Sequence, residues 1–159
     1  MFAPLALLLI ALADDPPRQL PIDRHGVVEL AAARAELQGE RLRLVDEPAP
    51  GYVGRWDDPG ESVAWAFDLP KTGRYLVVVE YAAPAGPGAA RFEVAVAGQR
   101  RQAFANPTGS ETTFLPQPLL GPVDLEAGPN RLVVRALEAP PGGGPILSLR
   151  RVRLVPDAP

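Results

Sequence analysis

Apolar residues at every second position, cut by short turns, constrain this chain more than any other feature. In ESVAWAFDL, residues 61–69, Val63, Trp65, Phe67 and Leu69 share one face and Ser62, Ala64, Ala66 and Asp68 the other. Strict alternation of this kind is the mark of a strand with one buried face. The turn KTG follows, then RYLVVVEYA, with Tyr75, Val77, Val79 and Tyr81 on one face and Leu76 and Val78 on the other. A strand apolar on both faces is expected to lie centrally and be covered on both sides. ARFEVAVAG alternates through Phe92, Val94 and Val96, and the segment after the turn Ala127-Gly128-Pro129-Asn130 through Leu132, Val134 and Ala136. RRQAFA and TTFLPQPLL are weaker strands, and Pro116 and Pro118 demote the latter to an edge strand or an irregular run. In PILSLRRVRLVP, Leu147 and Leu149 have the opposite parity to Val152 and Leu154. A β-bulge near Arg150-Arg151 would return all four to one side. VVELAAARAELQG contains good helix formers, but its context makes it a first strand of uncertain register. Eight or nine strands with regular turns predict an all-β, antiparallel β-sandwich.

The chain has 159 residues, enough for one domain with a core that needs no staples. It contains no cysteine, which removes disulfides and thiolate metal sites. Sixteen basic and 19 acidic residues give a formal charge of −3, so neither nucleic acid nor an anionic membrane is an expected partner. The apolar run from Phe2 to Ala13 is too short to span a bilayer. It ends in the small-x-small pattern Ala11-Leu12-Ala13, which predicts a secretory signal peptide over 1–13, cleaved after Ala13, and a secreted or periplasmic product. Residues 14–26 read as a linker, 27–156 as the sandwich and 157–159 as a tail.

The loop GYVGRWDDPGE poses the functional question. Trp56 is either an aromatic platform for a ligand or part of the packed rim of the sandwich, and Asp57-Asp58-Pro59-Gly60 is either a polar rim or simply a turn. Trp65, Tyr75 and Tyr81 are in phase with the core. The one histidine, His25, falls in the linker, and no cysteine nucleophile exists, so no catalytic residue is assigned.

Taken in order, VELAAARAELQG, VGRWDDPGESVAWAFDLPKTGRYLVVVEYA, FEVAVAGQ, PTGSETTF, VDLEAGPNRLVV and ILSLRRVRLVP resemble the galactose-binding-like jelly rolls. The nearer likeness is to carbohydrate-binding modules of families 6 and 35, and to the domains of that type appended to secreted bacterial sulfatases and glycosidases. The resemblance implies a non-catalytic module that binds a poly- or oligosaccharide at the loop end of the sandwich. A pyranose presents a C–H face that packs on an aromatic ring and a rim of hydroxyls that needs polar partners. On that pattern Trp56 supplies the stacking face, Tyr52 assists, and Asp57, Asp58 and Glu111 accept hydroxyl hydrogens. The chain departs from the pattern at Ser62, Glu111 and Ser148, where relatives place two tryptophans and an asparagine. That leaves open a sandwich with no sugar site, serving as a structural module of the cell envelope or as one that interacts with an envelope protein. The family's structural calcium uses acids that fall here on Ala31, Ala33 and, on or near it, Arg150, with Glu29 and Glu36 the nearest carboxylates. The expectation is no metal and no cofactor.

Overall fold

A computed structural model describes residues 23–47, 49–85 and 90–157, so the expected signal peptide and most of the expected linker lie outside the described residues. Eleven strands occur among the described residues. In chain order they are β1 (Val28–Ala31), β2 (Glu36–Gln38), β3 (Arg43–Val45), β4 (Tyr52–Gly54), β5 (Ser62–Leu69), β6 (Gly73–Ala82), β7 (Arg91–Val96), β8 (Gln99–Phe104), β9 (Leu115–Leu125), β10 (Gly128–Glu138) and β11 (Ser148–Pro156). All pairings are antiparallel. One sheet runs β3-β4-β11-β6-β9, with β1 also paired to β11, and the other runs β2-β5-β10-β7-β8. The two form a sandwich, as expected, and no described helix is long and apolar enough to cross a membrane.

The core is the inward row of each alternating strand. Val63, Trp65, Phe67 and Leu69 of β5 meet Val77, Val79 and Tyr81 of β6, all buried. Each such side chain contributes about 1.5–3 kcal/mol on leaving water. Trp65 is anchored as well as buried: its Nε1 donates to the Ala31 carbonyl at 2.9 Å. The Tyr81 ring meets Phe92 edge-on at 5.6 Å, and its hydroxyl accepts the Asn106 N–H at 3.2 Å.

Three differences from the sequence reading have physical causes. The extra strands are β2, β3 and β4, three residues each, which is too short for alternation to show. The segment VVELAAARAELQG is two strands, not one. A 3₁₀ turn at Ala32–Arg34 carries the chain from β1 in one sheet to β2 in the other. β6 lies between β11 and β9, but among the described residues no further layer covers its second face, and Leu76 and Val78 are half-buried beside their β11 partners Val155 and Arg153.

The irregularities fall where the sequence marks them. The β11–β6 register shifts between Leu149 and Arg151, so Arg150 is the bulged residue and Val152 and Leu154 rejoin Leu149 in the core. β9, with its prolines, is an edge strand whose pairing to β6 is itself irregular. β7 and β8 turn through Ala97-Gly98 with φ of 50° and 74°, the left-handed pair that a two-residue hairpin requires.

Candidate functional site

β3 and β4 form a short hairpin beside the start of β11, and segments preceding β9 and β11 stand next to it. Between them lies a cleft of about 650 Å³. Tyr52 of β4 lines it, half-buried, with its ring tilted against Phe114 at 5.2 Å between centroids. The Arg150 guanidinium lies 4.0 Å from the Phe114 ring centre, a cation–π contact that fixes the ring on which Tyr52 leans. Gly54 leaves room for Tyr52: a Cβ there would sit 3.1 Å from Tyr52 Cε2 and 3.3 Å from Val45 Cγ2.

Charge dominates the rest of the lining. Arg41, Arg43 and Arg55 contribute guanidinium groups, and Asp57 and Glu111 carboxylates. Arg41 Nη1 pairs with Asp57 Oδ2 at 2.8 Å, while Arg43 Nη1 donates to the carbonyls of Glu40 and Leu42 at 2.9 and 2.8 Å. Arg55 is exposed and makes no hydrogen bond or ion pair among the described residues. Its backbone sits at φ 57°, a left-handed conformation that is uncommon for a residue with a side chain. Asp57 Oδ1 is buried without a partner, and Ser148, itself buried, is also a lining residue. The cleft therefore offers one tyrosine face and a free guanidinium, while the spare Asp57 oxygen is closed off from solvent.

Tyr52, Asp57 and Glu111 come together in this cleft. Trp56 and Asp58 do not, and both need correction. Trp56 is 0% exposed and belongs to the core. Strict alternation from Val53 would turn it outward with Tyr52, but left-handed Arg55 shifts the phase and drives the indole inward. The Trp56 carbonyl then accepts the Ile146 N–H at 2.7 Å, tying the loop to the segment before β11. An indole held there cannot stack on a ligand arriving from solvent. Asp58 is exposed in the turn before Gly60, whose N–H donates to Ala136 O at 2.8 Å, and it does not line the cleft. Ser62 lies outside the cleft too, its hydroxyl donating to Gln38 Oε1 at 3.1 Å between β5 and β2.

The arginines are what sequence reasoning missed. Arg41 and Arg43 are two apart in RLR around buried Leu42, a period-two signal that could have placed both on the outward face. Nothing in the sequence announces the left-handed turn at Arg55.

The positions expected to hold a structural ion are occupied differently. Ala31 stands opposite Arg151 in the β1–β11 pairing, and Ala33 is an exposed residue of the 3₁₀ turn. Glu29 Oε2 accepts from Arg151 Nη1 at 3.2 Å, and Glu36 Oε2 from Arg131 Nη1 at 3.0 Å. Among the described residues no three carboxylate, histidine or cysteine side chains converge.

A two-sheet antiparallel sandwich with no α-helix among the described residues, bearing a polar cleft with an aromatic wall where short strands meet loops, defines a β-sandwich binding module. The sequence profile of carbohydrate binding module family 35 matches residues 32–138, and the chain belongs to that family, whose members bind rather than catalyse. No functionally curated protein matches the sequence. Solved structures agree on the fold. A native family 35 module from Clostridium thermocellum is 19% identical with a TM-score of 0.62, over 80% of this chain and 96% of that one. A family 35 module solved in complex with a glucuronic acid-containing disaccharide is 20% identical with a TM-score of 0.63, over 82% and 94%. The Podospora anserina GH26-CBM35 β-(1,4)-mannanase is 23% identical with a TM-score of 0.64; the match covers 86% of this chain but only 29% of the mannanase.

Proposed function

We propose that this module binds an acidic oligo- or polysaccharide, weakly and outside the cytoplasm, in the cleft walled by Tyr52. The observation that carries this reading is the free Arg55 guanidinium beside Tyr52 and Arg43. A guanidinium presents paired N–H donors in the fork geometry of a carboxylate, and a tyrosine face suits the C–H side of a sugar ring. Asp57, Glu111 and Ser148 line the same cleft, which supports a polar rim for the sugar hydroxyls. The glucuronic acid in the ligand of one structural relative supports the same chemistry. One aromatic wall on an open cleft implies a dissociation constant in the millimolar range, at about −4 kcal/mol. An apolar stretch ending Ala11-Leu12-Ala13 supports export, with the mature chain starting at Asp14.

Isothermal titration with a uronate-bearing oligosaccharide and its carboxyl-reduced counterpart tests the reading. The acidic glycan should bind and the reduced one bind at least tenfold more weakly. Arg55→Ala should erase that difference, and Tyr52→Ala should weaken both. A folded protein that binds neither, nor any member of a wider glycan panel, overturns the proposal. N-terminal sequencing of the protein recovered outside the cells checks the export step.

A further inference from the structure

The structural ion that the resemblance implies finds no side-chain oxygen at Ala31 or Ala33, and a charge cluster ties β1, β11 and β6 together beside them. β1 lies against β11, with Ala31 opposite Arg151, and β11 lies against β6, with Arg151 opposite Glu80. The Arg151 side chain projects between two carboxylates. Its Nη1 meets Glu29 Oε2 at 3.2 Å, and its Nε makes a charge contact with Glu80 Oε2. Arg153 Nε stands 3.8 Å from the same Glu29 oxygen. The Arg151 and Glu80 side chains are only 18% and 14% exposed and that of Glu29 34%, so water screens these charges incompletely. One organic cation thus links an acid from the first strand to an acid from a central strand across the last.

We propose that the Arg151 guanidinium replaces the structural calcium in this chain, making the sandwich independent of divalent ions. Calcium needs six to eight hard oxygens. Alanines at 31 and 33 supply no side-chain oxygen, and opposite Ala31 stands Arg151, a positive charge, rather than an acid. The two acids closest to the expected positions, Glu29 and Glu36, already accept from arginines. The covalently attached cation needs no loading, whereas a bound ion would be lost at low calcium.

Calorimetric melts of the protein after exhaustive dialysis, in EDTA and in millimolar calcium, decide the matter. The midpoints should coincide, and elemental analysis should find no stoichiometric calcium. Arg151→Gln and Glu80→Gln should each lower the midpoint by several degrees, and the double variant by clearly less than the sum. A midpoint that falls in EDTA and recovers with calcium overturns the proposal, as do additive single effects. If Arg151→Gln does not fold, Arg151→Lys replaces it, and the unmutated protein still answers the chelation question. The readout is stability alone, so its failure leaves the glycan proposal standing, and failed glycan binding leaves this one standing.

Discussion

At the scale of single residues, Gly54 in the cleft and Glu61 beneath a neighbouring turn are both tightly confined. Gly54→Val would press its side chain onto the Tyr52 ring and displace the cleft wall. The expected result is at least a tenfold loss of glycan affinity by titration, with a much smaller shift in melting midpoint than a core truncation causes. Glu61 sits buried beneath the β2–β3 turn, where any side chain at Gly39 would overlap its carboxyl group. Burial pushes the Glu61 carboxyl above its ordinary value of 4.5. The Arg41 and Glu40 backbone N–H groups oppose the shift, and the charges of Asp58 and Asp57 add to it. The folded protein therefore holds this proton more tightly than the unfolded chain. Stability is fully present below the unfolded value and declines as pH rises through the window between the two values. Glu61→Gln keeps an acceptor and removes the charge, so it should stabilise the protein above that window and have little effect below it. Melts of both proteins from pH 3 to 8 check the sign. Single residues were also where sequence reading fell short. Tyr52, Asp57 and Glu111 converge, but the fate of Trp56 turns on one backbone angle at Arg55, and dihedral angles of arginines are not written in hydrophobic patterns.

At the scale of elements, β11 is the most informative strand. Its parity break between Leu149 and Val152 was readable because a strand cannot bury both without an extra residue, and the extra residue is Arg150. Deleting Arg150 should straighten the strand while Leu149, Val152 and Leu154 stay inward, giving a folded protein that lacks the contact on Phe114. Deleting Arg153 instead would turn Leu154 outward and unfold it. Circular dichroism and amide NMR spectra of the two deletions should differ in that sense. β5, β6, β7 and β10 were legible for the same reason, since each runs six residues or more with an unbroken inward row. β2 to β4 were not, because three residues carry no period, and the cleft is built largely on that quiet stretch. A cleft assembled from short strands and loops leaves its signal in side-chain chemistry rather than in spacing, as the Arg41 and Arg43 pair shows.

For the whole molecule, both tryptophans are in the interior, at 0% and 2% exposure. Intrinsic emission should be blue-shifted and resist iodide quenching until the protein unfolds, so ligand binding has to be followed by calorimetry or through Tyr52. Replacing either indole with alanine should cost about 3–5 kcal/mol in denaturant unfolding, because each leaves a large void between two sheets that cannot collapse onto it. Such a loss would mark Trp56 as structural, in keeping with its burial and against the platform role that its loop suggested.

The first and last strands run side by side, with Val28 opposite Leu154, while β11 begins at the cleft with Ser148. From Ser148 to Pro156 the strand covers roughly 26 Å at about 3.3 Å per residue. Both exits from the sandwich thus leave by the end remote from Tyr52. A tether, a surface or a neighbouring domain joined through either exit would carry the recognition face pointing away from the point of attachment.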